Sequence, residues 1–407
     1  MSEALMPLYA RAQIEVERGE GVWLEARDGR RFLDCVAGIA TCALGHAHPV
    51  LIEALTAQAH KLWHVSNIFR IPGQEELADK LTAATFADYA YFANSGTEAV
   101  EAALKIARRY HFAKGQPERI DVIGFAGSFH GRTYGAINAS GNPTYLEGFG
   151  PRLPGYQQLS IDDMPAIAAA IASPTTAAVI VEPVQGEGGA RALDGQTLRE
   201  LRRLTREHGV LLIFDEVQSG MGRTGKLFAH QWFPGAEPDI MAIAKALGGG
   251  FPIGAVLATR EAASGMAAGM HGTTFGGNPL AMAVALAVFD VIAQDAALAH
   301  VAAMSQRFFH GFGALAARFP DQVVEQRGKG LLMGLKLHAN NREVMALARE
   351  HGLLVAGGGD NCIRLLPSLL ITDSEVDEAL ARLEATFADA RAKGWGKVDA
   401  APVVAAA

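Results

Sequence analysis

Cysteine is scarce in this sequence, and its spacing is not that of a disulfide framework. The 407 residues contain three cysteines and no CxxC pair: Cys35, Cys42 and Cys362. Disulfide-stapled domains and structural zinc sites need paired cysteines at characteristic spacings. We therefore expect reduced thiols, a cytoplasmic location and no structural metal site.

Long apolar runs and an excess of positive charge are also absent, and we expect no leader segment. The most apolar stretch, 280–303, is interrupted by Asp290 and Asp295, whereas a membrane span needs ~20 apolar residues. Residues 1–5 lack the basic and apolar regions of a signal peptide. With 36 Lys+Arg against 43 Asp+Glu, the formal net charge is −7, which disfavours non-specific nucleic-acid binding. We expect neither a membrane nor a nucleic-acid partner.

What the sequence does contain is a regular alternation of short apolar runs and helical patterns. Strand-like runs occupy 89–93, 121–126, 177–181, 210–214, 240–244 and 253–258. Helix-period segments lie between several of them, at 98–110, 164–172 and 197–208. Continuous apolar strands alternating with helices predict βαβ units and a mostly parallel sheet.

A second mixed region follows a long helical stretch that starts near residue 280. It has strand-like runs at 330–337, 353–356 and 362–366 and a final helix at 373–393. The predicted fold class is α/β. Its parts are an N-terminal arm (1–55) that packs with the small domain, a large α/β domain (56–295) and a smaller C-terminal α/β domain (296–407).

Chemically useful groups follow five of the predicted strands. In open parallel sheets, ligands bind outside the carboxyl ends of the strands. The segments at these ends are NSGTE at 94–98, GSFHGR at 127–132, EPVQGEGG at 182–189, DEVQ at 215–218 and Lys245 before a glycine cluster at 248–250. These ends therefore offer a helix start, an aromatic ring with an arginine, several acids and a lysine.

Each of these features also has a simpler structural interpretation. Ser95 and Glu98 have the spacing of a capping box, although the free N–H groups of a helix start also bind phosphate. Lysine is usually a surface residue, but Lys245 lies between an apolar strand and a glycine cluster. That position would draw its amine into a desolvated cleft. Asp215 likewise ends a strand with no polar residue between Val210 and Phe214.

Two other motifs favour different functions more weakly. The segment 220–225 fits GxGxxG, the dinucleotide-binding pattern. However, five residues separate it from the preceding strand, and no convincing amphipathic helix follows it. The histidines of the segment 46–48 and His130 could suggest a metal site, but no third metal ligand stands at a useful spacing from them. A nicotinamide-dependent dehydrogenase and a metalloprotein are therefore disfavoured.

Taken together, the motifs resemble those of class III aminotransferases of fold type I, which depend on pyridoxal 5′-phosphate (PLP). The resemblance runs from about Leu5 to beyond Arg364. It rests on GHAHP at 45–49, NSGTE at 94–98, FHGR at 129–132, EPVQGEGG at 182–189, FDEVQ at 214–218, AKALGGG at 244–250 and TFGGNP at 274–279. It implies a central, mostly parallel sheet domain, a smaller C-terminal α/β domain, and a homodimer with shared active sites.

The resemblance also implies roles for residues around the cofactor. Lys245 would bind the PLP aldehyde covalently and later move a proton between the substrate carbon and the cofactor. Asp215 would pair with the pyridine nitrogen, Gln218 with the phenolic oxygen, and Phe129 would stack on the ring. The phosphate would be held by Ser95, Gly96, Thr97 and, from a second subunit, Thr274.

Substrate binding is implied in the same way. Arg132 would bind the α-carboxylate of the amino donor, and Arg364 a carboxylate of 2-oxoglutarate or glutamate. Glu187 would pair with Arg364 and swing away when that carboxylate arrives; a static ion pair is the alternative. Ile39 stands where related enzymes acting on free ornithine carry a tyrosine. An apolar residue at this position favours a substrate whose α-amino group is acylated.

The reaction implied by these positions converts N2-acetyl-L-ornithine and 2-oxoglutarate into N-acetyl-L-glutamate 5-semialdehyde and L-glutamate, a step of arginine biosynthesis. Succinylornithine, ornithine and 4-aminobutyrate are alternative donors for the same site, and succinyldiaminopimelate of lysine biosynthesis is another. A non-catalytic regulator with this fold would require loss of Lys245 or an attached basic DNA-binding domain, and the sequence has neither feature.

Overall fold

The computed structural model describes residues 4–396. Its strands, in chain order, are β1 (Val16–Glu20), β2 (Trp23–Ala26), β3 (Arg31–Asp34), β4 (Tyr89–Ala93), β5 (Asp121–Phe125), β6 (Tyr156–Leu159), β7 (Thr176–Val181), β8 (Val184–Gln185), β9 (Arg191–Ala192), β10 (Leu211–Asp215), β11 (Ile240–Ile243), β12 (Gly254–Ala258), β13 (Val323–Lys329), β14 (Leu332–Leu337), β15 (Leu353–Leu354), β16 (Ala356–Gly358) and β17 (Cys362–Leu365). Its helices are α1 (Ala37–Ala40), α2 (Pro49–Ala59), α3 (Gln74–Ala83), α4 (Gly96–Ala113), α5 (Tyr134–Ser140), α6 (Pro143–Leu146), α7 (Met164–Ile171), α8 (Gly195–Glu207), α9 (Pro279–Ile292), α10 (Asp295–Arg318), α11 (Asn341–Glu350) and α12 (Asp373–Ala392).

A seven-stranded sheet in the order β4-β12-β11-β10-β7-β5-β6 lies at the centre of the molecule. Its strands β11, β10, β7, β5 and β6 pair in parallel, and β12 runs antiparallel to both β11 and β4. The strands β7, β10, β11 and β12 are buried along their whole length. Helices cover both faces of a parallel sheet, which is why these strands read as continuous apolar runs.

The two faces of this sheet pack into different hydrophobic clusters. Along β10, Leu211 and Ile213 face one cluster together with alanines of α4, whereas Leu212 and Phe214 face the other. This alternation follows from the two-residue period of a strand. The polar groups at the strand ends are therefore held between two packed layers.

Two smaller sheets accompany the central one. An antiparallel sheet, β13-β14-β17-β16, packs against α10 and α11. The N-terminal strands β1, β2 and β3 form a second sheet, which β15 joins in parallel beside β3. The arm at 1–55 and the domain limits at 55/56 and 295/296 stay predictions.

Among the described residues, none of the helices alone has the length and apolarity to cross a membrane. One pair, α9 and α10, meets that test together, but the two helices are bent by 69° relative to each other. Within 4–396, no group of three or more His, Cys, Asp or Glu side chains is placed to hold a metal ion.

Candidate active site

A cavity of about 430 Å³ opens at the carboxyl ends of the central strands. It brings together nine of the residues singled out in the sequence: Ser95, Gly96, Thr97, Phe129, Arg132, Glu187, Asp215, Gln218 and Lys245. Arg364, Ile39 and Thr274 are not among its lining residues.

Lys245 follows β11 and begins a short 3-10 turn, Lys245–Gly248. Its φ of +43° lies in a region that non-glycine residues rarely adopt. Its amine has no hydrogen-bond or ion-pair partner within residues 4–396. Desolvation lowers the pKa of Lys245 to about 8, against the opposing attraction of Glu187. A fraction of this amine is therefore neutral near pH 7, as a nucleophile requires.

Asp215 is the last residue of β10 and is almost fully buried. His130 Nδ1 lies 2.7 Å from Asp215 Oδ2, and the Val217 backbone N–H donates to Asp215 Oδ1 at 3.0 Å. Burial opposes the charged form of His130, but contact with Asp215 outweighs it and raises the pKa of His130. The imidazole thus holds this carboxylate in one orientation toward the cavity.

Glu182 is a second buried acid in the cavity wall. Its carboxylate accepts hydrogen bonds from the backbone N–H groups of Phe129 at 2.8 Å and Gly186 at 3.0 Å. Burial, followed by the nearby charge of Asp215, raises the pKa of Glu182 to about 7. These bonds tie the loop after β5 to the loop after β7 and fix the position of Phe129.

Sequence reasoning assigned no role to His130 or Glu182. Both follow apolar strands, and this was the signal that selected Asp215. His130 contacts Asp215, and Glu182 contacts Phe129, across long sequence separations. The signal alone therefore could not distinguish a supporting residue from one that faces a ligand.

The start of α4 forms one end of the cavity. Ser95 Oγ accepts from the Glu98 N–H at 3.3 Å, which caps the helix, and donates to the Glu98 carboxylate at 3.0 Å; the reciprocal bond of a full capping box is instead made to the Asn94 N–H at 2.8 Å. The first N–H groups of a helix have no carbonyl partner within it. The backbones also approach closely here, because a Cβ on Gly131 would lie 2.1 Å from Thr97 Oγ1 and one on Gly96 2.7 Å from Val217 Cγ1.

Arg364 and Glu187 form an ion pair, with Arg364 Nη2 2.8 Å from Glu187 Oε1. Arg364 is 2% exposed and also donates to Gln218 Oε1 at 3.2 Å and to the Gly357 carbonyl at 2.8 Å. The Glu187 side chain is 32% exposed. The acid can therefore leave the pair more easily than the arginine can.

Arg132 is exposed at the cavity and has no carboxylate partner among residues 4–396. Its guanidinium lies 4.0 Å from the ring centroid of Tyr145 and 5.5 Å from that of Phe129. The two rings pack edge to face at 5.8 Å. Cation–π contacts of this kind hold a guanidinium while leaving its N–H groups free for a carboxylate. Tyr145, in α6, carried no sequence signal.

Ile39 and Thr274 lie outside the cavity within this chain. Ile39 is in α1 with a φ of +61°, and it packs beside Val36 on a small apolar cluster. Thr41, two residues further on, does line the cavity. Thr274 is exposed, and its neighbour Phe275 is 60% exposed.

The chain matches the family model of class-III aminotransferases over residues 7–387. It belongs to the class-III aminotransferases. The sequence-based predictions of this family and of a fold with a central, mostly parallel sheet are thus confirmed.

Individual curated and solved proteins are similar to this chain over almost its whole length. The chain is 64% identical to acetylornithine aminotransferase 2 of Caulobacter vibrioides over 96% of each chain. It resembles the solved N-acetylornithine aminotransferase from Stenotrophomonas maltophilia with a TM-score of 0.83 and 38% identity, covering 95% of this chain and 98% of that one. An amine transaminase from an uncultivated Pseudomonas species, solved in its PLP-bound form, gives a TM-score of 0.89 at 30% identity over 96% and 99% of the two chains.

Proposed function

We propose that this protein transfers the terminal amino group of N2-acetyl-L-ornithine to 2-oxoglutarate, with PLP as its cofactor. The observation that carries the proposal is the set of groups in one cavity: an unpaired Lys245 amine, a buried Asp215 and a free Arg132, with the Arg364–Glu187 pair adjoining them. Both the Caulobacter and the Stenotrophomonas relatives carry acetylornithine in their names.

Class-III aminotransferases depend on PLP, and the residues of this cavity fit that group. The amine of Lys245 has no partner in the part of the chain that the structure describes, and it can take the aldehyde. Asp215, held by His130, can face the ring nitrogen. The free N–H groups at Gly96 and Thr97 suit the phosphate, since helix starts bind anions through their unpaired donors and dipole.

When bound, PLP supplies an aldehyde that captures amino groups and a ring that takes up an electron pair. The protein's own part is to place protons and charges. Lys245 Nζ would accept the proton from the substrate carbon that bears the reacting amine. It would then deliver this proton to the cofactor. Asp215 would face the ring nitrogen with its carboxylate, and Phe129 would cover one face of the ring.

The two substrates need carboxylate-binding groups at different places. N2-acetyl-L-ornithine reacts through its terminal amine, whose carbon bears no carboxylate, so its α-carboxylate suits the unpaired Arg132. 2-Oxoglutarate reacts at a carbon that does bear one, which suits Arg364. Glu187 occupies Arg364 during the first half-reaction and is exchanged for the incoming carboxylate in the second. This exchange avoids leaving a buried guanidinium unpaired.

A homodimer is part of the proposal. Asn67 Nδ2 donates to the carbonyls of Thr273 and Gly276, so the segment around Ile68 lies beside the segment that carries Phe275. Ile68 is 82% exposed and Phe275 60%. Exposed apolar patches of this kind mark protein–protein interfaces. Burial of this patch against a second copy would bring Thr274 of the partner subunit to the phosphate end of the cavity.

The test is steady-state kinetics of the purified, PLP-loaded protein with 2-oxoglutarate and a panel of donors. N-acetylornithine, N-succinylornithine, ornithine and 4-aminobutyrate are compared by kcat/KM. We expect the highest value for N-acetylornithine. A higher value for free ornithine or 4-aminobutyrate would contradict the proposed substrate, and absence of transamination with every donor would contradict the proposed reaction.

A further inference from the structure

The segment 220–225, which fits the dinucleotide-binding pattern in sequence, is packed inside the molecule. It follows β10 and the cavity residue Gln218, and its residues 220–224 are all buried. Gly222 has a φ of +82°, and a Cβ there would lie 2.6 Å from Ile292 Cγ2 and 3.2 Å from Leu369 Cδ1. The glycines of this segment therefore serve close packing, and the proposed transamination has so far used none of its residues.

Arg223 is the most unusual side chain of this segment, because its guanidinium is buried without an acidic partner among residues 4–396. It is fully buried, and its Nη1 donates to the carbonyls of Leu331 at 3.3 Å and Pro367 at 2.6 Å. Its Nε and Nη2 have no hydrogen-bond partner in the described chain. Burial lowers the pKa of Arg223 to about 9. A buried charge without an opposite charge is unfavourable, so packing alone does not account for an arginine here.

The two carbonyls that Arg223 binds belong to neighbouring strands of the small antiparallel sheet. Leu331 directly precedes β14, Pro367 lies two residues beyond β17, and β14 and β17 pair with each other. The Leu331 N–H also donates to the Arg223 carbonyl at 2.9 Å. A Cβ on Gly330 would lie 2.4 Å from the carbonyl carbon of Thr224. The loop after β10 and the ends of these two strands are therefore in direct backbone contact.

The chain beyond β17 is also attached to the loop that follows β3. The Leu366 N–H donates to the Cys35 carbonyl at 2.7 Å, and the Leu369 N–H donates to the Ala43 carbonyl at 2.7 Å. The Pro367 carbonyl lies between these two anchors in the chain. The buried guanidinium therefore supplies a third attachment of the same short segment, and this one leads to the loop after β10.

Both sides of the Arg223 contact lie close in the chain to groups of the candidate active site. Gln218 precedes the segment 220–225, and Arg364, in β17, precedes Pro367 by three residues. Arg364 Nη1 donates to Gln218 Oε1 at 3.2 Å. A shift of the end of β17 would therefore move the Arg364 guanidinium relative to Gln218. Misplacement of a binding group by about 1 Å is enough to slow a reaction strongly.

We propose that Arg223 is a positioning residue, which holds the end of β17 against the loop after β10 and thereby places the Arg364 guanidinium for the carboxylate beside the reacting carbon of 2-oxoglutarate. This inference rests on the role proposed above for Arg364. The carboxylate of the amino donor is assigned to Arg132, which is not part of this contact. The two half-reactions should therefore respond unequally to the loss of Arg223, whereas a purely structural arginine would affect both alike.

The first test is Arg223→Met in the PLP-loaded protein, since methionine is long, uncharged and suited to a buried site. In a two-step transamination, kcat/KM for each substrate reports its own half-reaction. We expect kcat/KM for 2-oxoglutarate to fall about 10-fold and that for the best donor of the panel to change less than about 2-fold. Arg223→Gln, which is too short to reach both carbonyls, should repeat this imbalance. Arg223→Lys keeps a donor for the Pro367 carbonyl and should recover most of the loss.

Arg119→Met is the matched control. The Arg119 guanidinium also donates only to backbone carbonyls, among them those of His208 at 3.1 Å and Gly209 at 3.2 Å. It precedes β5 and so lies at the opposite edge of the central sheet from the cavity. Neither kcat/KM should change by more than about 2-fold in this variant. Equal falls of the two constants in Arg223→Met, or an unchanged value for 2-oxoglutarate, would overturn the proposal.

A double-mutant cycle tests whether Arg223 acts through Arg364. In an Arg364→Lys background, adding Arg223→Met should cause little further loss with 2-oxoglutarate, because the group that it positions has already been replaced. Losses that multiply fully in the double variant would show that Arg223 acts in another way, and would overturn the proposal.

Amide hydrogen exchange without substrates provides a measurement that needs no reaction. The N–H groups of Leu366 and Leu369 should exchange faster in Arg223→Met than in the wild type, because the segment loses one of its three attachments. Unchanged exchange would show that Arg223 does not hold this segment, and would overturn the inference. A wild type that does not use 2-oxoglutarate would instead contradict the proposed function, and the exchange rates would still decide whether Arg223 holds the end of β17.

Discussion

The individual side chains of the cavity differ in how firmly they are held. Asp215, Glu182 and the adjoining Arg364 are buried and bound by short hydrogen bonds, whereas Lys245 has no partner within residues 4–396 and Glu187 is partly exposed. A fixed position suits a group that supplies a constant charge. Few contacts suit a group that must move or form a bond. The predictions for single residues follow from this contrast.

Lys245→Ala should abolish turnover while PLP remains bound through Asp215 and the start of α4. Loss of both the nucleophile and the proton carrier should lower kcat by on the order of 10³-fold or more. Borohydride treatment followed by peptide mapping should attach the cofactor to a Lys245 peptide in the wild type and not in the variant. Transamination at the normal rate by Lys245→Ala would contradict the role of this amine.

Glu187→Ala should weaken the half-reaction with N-acetylornithine about 10-fold, because Arg364 keeps its bonds to Gln218 and Gly357 but loses its carboxylate partner, at a cost of about 1–3 kcal/mol. The half-reaction with glutamate should be retained or improved, since the competing carboxylate is gone. Rapid mixing, followed by cofactor absorbance, separates the two halves. Equal losses in both would show that the ion pair is static.

Ile39→Tyr should shift preference from N-acetylornithine toward free ornithine. A phenol can contact a free α-amino group that isoleucine cannot, and Thr41, near this position, lines the cavity. A β-branched residue is the least suited to a φ of +61°, so tyrosine should not add backbone strain. The ratio of the two kcat/KM values is the measurement, and an unchanged ratio would place Ile39 away from the α-amino group.

At the scale of elements, strand ends and turns position the cavity. β10 brings Asp215, β11 leads to Lys245, and β7 leads to Glu182, because parallel neighbouring strands end at the same edge of the sheet. The left-handed turn α1 and the loop after it are tied back to β3 by the Asp34–His46 pair. This tie has a pH dependence of its own.

The Asp34–His46 pair should make the free energy of unfolding depend on pH between about 6.5 and 9. The pKa of His46 is raised from 6.5 to about 9 in the folded protein. The contribution of the protonated imidazole to stability is therefore complete below pH 6.5 and is lost as the pH rises through 9. The expected fall in the free energy of unfolding is on the order of 2–3 kcal/mol. Urea unfolding at several pH values measures it. Asp34→Asn should show a smaller fall, and an equal fall would assign the dependence to other groups.

At the scale of the whole molecule, the exposed apolar patch around Ile68 and Phe275 is the surface through which the proposed homodimer would form. Ile68→Asp should shift the protein from dimer to monomer in sedimentation velocity, because a charge would be buried at the interface. Activity should fall with dissociation, since Thr274 of the partner subunit would be withdrawn. Val324→Asp is the matched control, because Val324 is 46% exposed in the small antiparallel sheet. A monomeric wild type with full activity would refute the shared site.

The elements that the sequence predicted best are those with the clearest local pattern. The runs at 89–93 and 121–126 correspond to β4 and β5, and the helix at 98–110 lies within α4. The reversed direction of β12 has no local signature. β13 was not predicted, because its segment is charged and largely exposed at the edge of its sheet, and α1 was missed because three of its four residues are not glycine.

The sequence by itself determined the family, the order of strands and helices and the polar groups that follow the central strands. These depend on periodicity and on neighbours along the chain, which a sequence displays directly. Only the tertiary structure decided that His130 supports Asp215, that Glu187 pairs with Arg364, and that Asp34 pairs with His46. The first two contacts join residues far apart in the chain, and the third depends on a left-handed turn with no sequence signature. Such contacts arise from the packing of sheets and loops and leave no periodic trace in the sequence.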